Sequence, residues 1–134
     1  MKALQHLALN CANLKKQEQF YSRHFGFRRA RVFNANTPDE FVLLRLGPMC
    51  LELFQAPAEH TSLVAKAQPV GFQHFAFAVS DLEATLAALH ADGLPTDNII
   101  DCGAIVPGMR ICFFHDPEGN RIELVQGYKD EFTE

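Results

Sequence analysis

The feature that most constrains this chain is an internal repeat. The stretch LQHLALNCANL begins at Leu4, and FQHFAFAVSDL begins at Phe72. A repeat of this kind encodes one supersecondary unit written twice, so the chain is predicted to hold two copies of one structural unit. The two stretches share a glutamine, a histidine and an alanine at matched positions: Gln5 with Gln73, His6 with His74, and Ala8 with Ala76.

Each opening stretch is followed by a predicted helix and then by three predicted strands. Asn13 and Asp81 are suited to the N-cap of a helix, and Gly26 and Gly93 to its C-terminal end. The predicted helices are LKKQEQFYSRHF and LEATLAALHAD. The strands that follow are FRRARVF, FVLLRL and LELFQ in the first half, and DNIIDC, RICFFH and IELVQ in the second.

These elements predict the boundaries of the units. The first unit covers residues 1–56 and the second covers residues 71–127, with a linker at residues 57–70 and a polar tail at residues 128–134. Each unit reads strand, helix, strand, strand, strand, which predicts an α+β fold of two βαβββ modules within one domain.

The alternation of side chains along the strands places the repeated histidine and glutamate of each unit on the same face of its sheet. In the opening strands, His6 and Ala8 lie on one face and the bulky apolar residues on the other, and the same holds for His74. In the closing strands, Glu52 and Glu123 point away from the leucines that would pack on the helices. Both histidines and both glutamates are therefore expected on the open side of their sheets.

A carboxylate against an apolar sheet loses hydration unless a charge or a metal compensates it. Two imidazoles and two carboxylates form a suitable site for one divalent transition metal, with Ni, Zn, Co, Mn and Fe as candidates. The alternative is that the quartet is a remnant of duplication that forms a salt-bridged core without metal.

Composition excludes several classes of function. The net charge of −4 gives no basic surface for nucleic acid, and no apolar run is long enough for a membrane helix. The N-terminal residues do not read as a signal peptide. The four cysteines form no CxxC pair, which favours reduced thiols in a cytoplasmic protein over zinc-site or disulfide roles.

The motifs LQHLAL, FYSRHFGF, CLELF, FQHFAFAVSDL and FFHDPEGNRIELVQ together resemble the vicinal oxygen chelate superfamily, which includes glyoxalase I, bleomycin-resistance proteins and extradiol dioxygenases. The resemblance covers almost the whole chain and is greatest to small bacterial glyoxalase I-like proteins. It implies two modules that form a cup-shaped mixed sheet with the helices outside, around one metal, within a chain or across a homodimer.

By this resemblance the metal ligands are His6, Glu52, His74 and Glu123, and the candidate catalytic bases are Glu52 and Glu123. The implied reaction is that of a lactoylglutathione lyase-like lyase or isomerase, with proton transfer next to a carbonyl through an enediolate. Two alternatives within the same fold are an Fe-dependent dioxygenase and a non-catalytic module of the resistance type that binds a small molecule.

Two positions depart from the bacterial glyoxalase I pattern. Asn10 stands where an arginine helps to hold glutathione, and Ala56 stands where an asparagine is usual. Both changes argue against glutathione as a co-substrate, so the substrate is expected to be another small molecule.

Further candidates for contact with the substrate lie on the predicted strands. Asn10, Phe54 and Arg121 are predicted to bind the substrate, and Arg45 and Arg110 are possible partners for a carboxylate. The strand phenylalanines Phe41, Phe54, Phe113 and Phe114 are candidates for lining the cup, with core packing as the alternative for each.

Overall fold

The internal repeat of the sequence corresponds to two structural units with the same topology. A computed structural model describes residues 4–60 and 72–131, with only the backbone of His60. The chain divides into two compact units, Met1–Ala65 and Lys66–Glu134. Each unit contains a four-stranded mixed sheet and one α-helix, so the predicted α+β fold of two βαβββ modules is confirmed.

In the first unit, the closing strand of the repeat lies between two other strands of the sheet. Its sheet has the order β1-β4-β3-β2, in which β1 and β4 are parallel and the other neighbours are antiparallel. The first and last strands of the unit are therefore hydrogen-bonded neighbours. The elements are β1 (His6–Cys11), α1 (Leu14–Phe25), β2 (Arg28–Phe33), β3 (Phe41–Leu46) and β4 (Met49–Gln55).

The second unit repeats this topology. Its sheet has the order β5-β8-β7-β6, and β5 and β8 form the parallel pair. His74 lies just before its strand, whereas His6 is the first residue of β1. The elements are β5 (Phe75–Ala78), α2 (Leu82–Ala91), β6 (Ile100–Asp101), β7 (Arg110–His115) and β8 (Arg121–Gln126).

The helices begin and end at the residues that the sequence indicated. The side chain of Asn13 accepts a hydrogen bond from the backbone N–H of Lys16, and that of Asp81 accepts one from Ala84, each at 3.0 Å. Gly26 has a φ of 77° and Gly93 a φ of 78°, a left-handed backbone that glycine adopts without steric cost. The second helix ends at Ala91, one residue before the predicted end, because Asp92 forms its C-cap.

The repeated glutamines that end the closing strands bind the helix N-termini. Gln55 Oε1 accepts a hydrogen bond from Leu14 N at 3.0 Å, and Gln126 Oε1 accepts one from Leu82 N at 2.7 Å. The first N–H groups of a helix have no partner within the helix, so these side chains satisfy donors that would otherwise need water. Each glutamine thereby ties the helix of its unit to the central strand.

The core of each unit lies between the helix and one face of the sheet. Leu51 and Leu53 on β4 are buried under α1, and Ile122 and Leu124 on β8 are buried under α2. Burial of such a side chain contributes about 1.5–3 kcal/mol. The helices supply the opposite layer of buried side chains: Phe20 and Tyr21 from α1, and Leu82, Leu86 and Leu89 from α2.

The predicted strand DNIIDC is regular only at Ile100–Asp101. The segment nevertheless follows β7, because Asp97 N donates to Phe113 O and Cys102 N donates to Met109 O, each at 2.9 Å. The hydrogen bonds between these positions do not form a continuous ladder, so β6 is short.

A buried carboxylate organises the turn before β8. Asp116 is 4% exposed, and its Oδ1 accepts hydrogen bonds from the backbone N–H groups of Glu118 and Asn120 at 2.9 and 3.0 Å. Its Oδ2 accepts a third bond from the side-chain amide of Asn120 at 2.8 Å. Gly119 completes the turn with a φ of 84°. The DPEG sequence therefore sets the point at which β8 begins.

The predicted unit boundaries at residues 56, 70 and 127 stay a prediction. Residues 61–71 of the linker region and residues 132–134 of the tail lie outside the described residues. The described part of the linker contains a single 3₁₀ turn at Ala58–His60. None of the described helices has the length and apolar character needed to cross a membrane.

Candidate metal centre

The face of each sheet opposite its helix carries the repeated polar residues, and we call it the open face. In the first unit it includes Ala8, Asn10 and Glu52; in the second it includes Ala76 and Glu123. The strand register pairs Glu52 with Ala8 and Glu123 with Ala76. An alanine beside each glutamate fills little space, so the carboxylate is accessible from the open side.

In the first unit the histidine and the glutamate come together. His6 Nε2 lies 3.4 Å from Glu52 Oε2, and the His6 and Glu52 side chains are 43% and 18% exposed. The parallel pairing of β1 with β4 allows this contact, since it places His6 opposite Cys50, two residues before Glu52.

In the second unit the equivalent pair is closer. His74 Nε2 lies 2.8 Å from Glu123 Oε2, and the side chains are 26% and 14% exposed. The edge of the His74 ring also contacts the ring of Phe113, with centroids 5.4 Å apart. Phe113 lies opposite Glu123 in the antiparallel pairing of β7 with β8, so one aromatic ring borders both members of the pair.

The repeated glutamine before each histidine contacts the other ring nitrogen. Gln5 Oε1 contacts His6 Nδ1, and Gln73 Oε1 contacts His74 Nδ1 at 2.5 Å. An amide oxygen only accepts hydrogen bonds, so the contact places the proton on Nδ1 and leaves the Nε2 lone pair directed at the glutamate. This role does not follow from the sequence pattern, although the matched QH pair is visible in both repeats.

This arrangement fits a divalent metal. With the proton on Nδ1, Nε2 and the carboxylate oxygen are both acceptors 2.8–3.4 Å apart, and either a shared metal ion or a second proton on the histidine would compensate this arrangement. Metal-binding histidines generally donate their second ring N–H to an oxygen acceptor, as both do here. Within each unit, the described residues bring together this pair but no group of three or more histidine, cysteine, aspartate or glutamate side chains.

The other predicted substrate residues also lie on the open faces. Asn10 is exposed and pairs in register with Phe54, the next residue but one after Glu52 on β4. The Phe54 ring stacks on Phe41 with centroids 4.4 Å apart, and Phe41 stacks on Phe33 with centroids 4.7 Å apart. These three rings form a continuous aromatic strip across the first open face.

Two candidate residues of the second unit belong to its helix face instead. Phe114 is 1% exposed and lies in the core, because alternation along β7 gives the open face to Phe113. Arg110 donates to both carboxylate oxygens of Glu83 on α2, one of the two bonds being 2.9 Å long. Arg121 does lie on the open face, with its guanidinium carbon 3.9 Å from the centroid of the Phe113 ring.

The four cysteines are not among the proposed metal ligands. All four are free thiols; Cys11, Cys50 and Cys112 are buried and Cys102 is half-buried. Burial raises the pKa of the Cys112 thiol, so it is held in the neutral form that suits a small core residue.

Comparisons with known proteins agree with this architecture. The chain is 28% identical over 128 residues to the uncharacterized protein YwkD of Bacillus subtilis (strain 168), covering 94% of this chain and 98% of YwkD. It is similar to the crystal structure of a glyoxalase family protein from Enterococcus faecalis, with a TM-score of 0.75 and 29% identity, covering 92% of this chain and 97% of that one.

A lactoylglutathione lyase from Agrobacterium tumefaciens shares the fold, with a TM-score of 0.65, 23% identity and coverage of 95% of each chain. The sequence pattern of the Glyoxalase/Bleomycin resistance protein/Dioxygenase superfamily matches residues 3–124. The chain belongs to this superfamily, as the resemblance in the sequence indicated.

Proposed function

We propose that this protein is a divalent-metal-dependent lyase or isomerase that moves a proton next to a carbonyl group. The observation that carries the proposal is the repeated His–Glu pair, in which each Nε2 faces a carboxylate oxygen and each Nδ1 contacts a glutamine. His6, Glu52, His74 and Glu123 would together hold one metal ion. Fold membership alone does not give this reaction, because the superfamily contains enzymes and binding proteins.

The proposed chemistry divides between the metal and the glutamates. When bound, a divalent ion of this kind acts as a Lewis acid toward two neighbouring substrate oxygens. A glutamate then accepts the proton from the adjacent carbon at a carboxylate oxygen. Glu52 is the better candidate for this base, because the Glu52 and His6 side chains lie farther apart and are more exposed than those of Glu123 and His74, which leaves the Glu52 carboxylate more accessible.

The first experiment measures metal content. The full chain is stripped of metal, reloaded separately with Ni, Co, Mn, Zn or Fe(II), and analysed for metal per chain. We expect one ion per chain in the wild type and its loss in His6→Ala and in His74→Ala. His90→Ala is the matched control, because His90 lies on α2 and contacts Thr96. Two ions per chain, or retention of metal in either ligand variant, would contradict a single four-ligand site.

The second experiment assigns the base. Glu52→Gln and Glu123→Gln are loaded with metal and assayed on 2-oxoaldehydes with and without glutathione, and on other small carbonyl compounds. Loss of a positioned base typically costs about 10²–10⁴-fold in rate. We expect that loss in Glu52→Gln with the metal retained. Full activity in both variants would remove the carboxylate base, and Asn10 and Ala56 lead us to expect no dependence on glutathione.

A second candidate function has its own support in the aromatic strip of Phe33, Phe41 and Phe54, which presents apolar ring edges on the same face as Glu52. This surface would suit an aromatic substrate of an Fe-dependent dioxygenase, or an aromatic ligand of a non-catalytic binding module. Oxygen uptake that requires Fe(II) would favour the dioxygenase. Tight aromatic binding without stoichiometric metal would favour the binding module.

We also propose that the protein is a cytoplasmic homodimer that binds a small molecule and neither nucleic acid nor membrane. The assembly is tested by sedimentation of the metal-loaded and metal-free protein. If the four ligands came from two chains, an equal mixture of His6→Ala and His74→Ala chains that exchange subunits would recover about a quarter of the metal sites, because half of the dimers would be heterodimers with one intact site each. If all four came from one chain, the mixture would recover none.

A further inference from the structure

Arg121 is an arginine on the open face of the second unit whose guanidinium lies over an aromatic ring. It lies two residues before Glu123 on β8, and its guanidinium carbon is 3.9 Å from the centroid of the Phe113 ring. A cation–π contact attracts the guanidinium to the ring and does not use up its N–H donors as hydrogen bonds to an anion would. The cation is therefore held at Phe113 while its hydrogen-bond donors stay available.

The charge of Arg121 has no carboxylate partner within residues 4–60 and 72–131, where it forms neither a salt bridge nor a side-chain hydrogen bond. Two other strand arginines are paired with a carboxylate: Arg29 Nη2 lies 2.8 Å from Glu18 Oε2, and Arg110 contacts Glu83. Both of those pairs link a sheet to a helix, whereas Arg121 is on the opposite side of its sheet. Half-buried and unpaired, it is suited to an anion from outside the unit.

The ring under Arg121 is the same ring that borders the proposed metal ligands. Phe113 lies opposite Glu123 in the sheet and contacts His74 edge-on, so the arginine, the glutamate and the histidine surround one phenylalanine. Two residues along a strand correspond to roughly 7 Å. An anionic group at Arg121 would thus be a few bonds away from oxygens placed at His74 and Glu123.

We infer that Arg121 and Phe113 form an anion-binding subsite, and that the substrate carries a carboxylate or phosphate group separate from the oxygens at the metal. This inference rests on the proposed function for the identity of the site, but anion binding by Arg121 is a property of the second unit alone. The planar guanidinium matches either anion with two parallel hydrogen bonds, which an ammonium group cannot form in the same way.

The test measures binding of three probes that share a phenyl ring: benzoate, phenyl phosphate and neutral benzyl alcohol. Each is titrated into metal-free and metal-loaded full-length protein, and the dissociation constant is followed through the Nε–H signal of Arg121 and backbone amides in ¹H–¹⁵N NMR spectra. The variants are Arg121→Met, Arg121→Lys and Arg110→Met. Arg110→Met is the matched control, because it removes the same charge from the helix face of the same sheet.

We expect saturable binding of at least one anion to metal-free wild-type protein, with benzyl alcohol at least tenfold weaker. Arg121→Met should weaken anion binding by at least tenfold, Arg121→Lys by less, and Arg110→Met by less than twofold. The anion that binds more tightly, benzoate or phenyl phosphate, identifies the group. Equal anion binding by wild type and Arg121→Met, or equal binding of benzyl alcohol and the anions, would overturn the inference.

The anion-binding test can succeed or fail independently of the proposed metal-dependent function. Metal content of Arg121→Met should equal that of the wild type, because Arg121 is not a proposed ligand. Anion binding that depends on Arg121 in a protein that holds no metal would support the subsite and contradict the metal-dependent function. A metal-loaded enzyme that binds anions equally well with and without Arg121 would support the metal-dependent function and contradict the subsite. Urea unfolding of each variant confirms that it is folded under the assay conditions.

Discussion

The two His–Glu pairs occupy equivalent positions in the two units, but their surroundings differ. The residue opposite the glutamate is Leu43 in the first unit and Phe113 in the second, and the residue two before it is Cys50 or Arg121. The first pair is 3.4 Å apart and more exposed; the second is 2.8 Å apart and bordered by an aromatic ring.

The sheet topology therefore gives both units the same His–Glu pair, whereas the residues next to the pair differ between the units. The first open face presents a strip of three stacked phenylalanines, and the second presents an arginine over a phenylalanine ring. The open faces of the two units therefore differ in chemistry, with apolar rings on the first and a positive charge on the second.

The largest expected difference lies in the turns that precede the closing strands. Asp116 binds three N–H groups in the second unit, so Asp116→Ala should reduce the free energy of unfolding by about 2–4 kcal/mol, the loss expected for several hydrogen bonds to one charged group. Urea denaturation measures the change. Asp39→Ala is the control in the first unit, an exposed turn residue whose loss should cost under about 0.5 kcal/mol. Equal losses would contradict the special role of Asp116.

The next prediction concerns the glutamines beside the ligands. Gln73→Leu and Gln5→Leu should each weaken metal binding by roughly 10–100-fold, the usual cost of losing a partner of a ligand histidine. Gln73→Glu should recover most of the affinity, because a carboxylate oxygen can accept the same Nδ1–H bond. Calorimetric titration with metal measures the effect, and Gln19→Leu on the surface of α1 is the control. Unchanged affinity in both leucine variants would remove the orienting role.

The glutamines at the other end of the closing strands should have smaller effects. Gln126→Ala and Gln55→Ala each remove an acceptor from a helix N-terminus, and we expect a loss of about 1 kcal/mol from each in urea denaturation. The loss should be greater for Gln55, because its Nε2 also donates to Ala12 O at 2.7 Å and to Ala56 O at 3.2 Å. A greater loss for Gln126, whose bond to the helix is shorter and more buried, would show that burial outweighs the number of hydrogen bonds.

The smallest expected effect is that of the exposed pair between α2 and β7. The hydrogen bonds from Arg110 lower the pKa of Glu83 to about 2 from an ordinary 4.5. A depressed carboxyl pKa adds stability above the unfolded value, and this contribution is lost as the pH falls from about 4.5 toward 2. The difference in Tm between wild type and Glu83→Gln should therefore be small at pH 7 and vanish near pH 2. A difference that grows on acidification would contradict this assignment.

Much of the fold could be predicted because local signals and the repeat agreed. Asn13, Gly26, Asp81 and Gly93 determined the helix limits through backbone chemistry that is readable in the sequence. The short β6 could not be read from its apolar residues, since regular pairing there depends on how the segment meets β7.

Residues of the candidate site could be predicted where they lie inside a strand, because side chains there alternate between the two faces of the sheet. Residues just outside a strand could not be placed in this way. The faces of Glu52 and Glu123 follow from the leucines beside them. The contacts of Gln5 and Gln73 do not, because neighbouring side chains point to opposite faces only inside a strand, and both glutamines lie just outside one. Alternation likewise leaves open which of two consecutive phenylalanines, Phe113 or Phe114, faces the core until the register with β8 is known.

The parallel pairing of first and last strands also determines when each half of the centre can exist during synthesis. His74 and Glu123 are separated by 49 residues along the chain, and their contact forms only when the last strand of the unit joins the first. Contacts between such distant residues form late and slow folding. A ribosome-bound chain that ends before β8 would therefore lack this pair, and the contact of His74 with Glu123 would report that the final strand has been inserted.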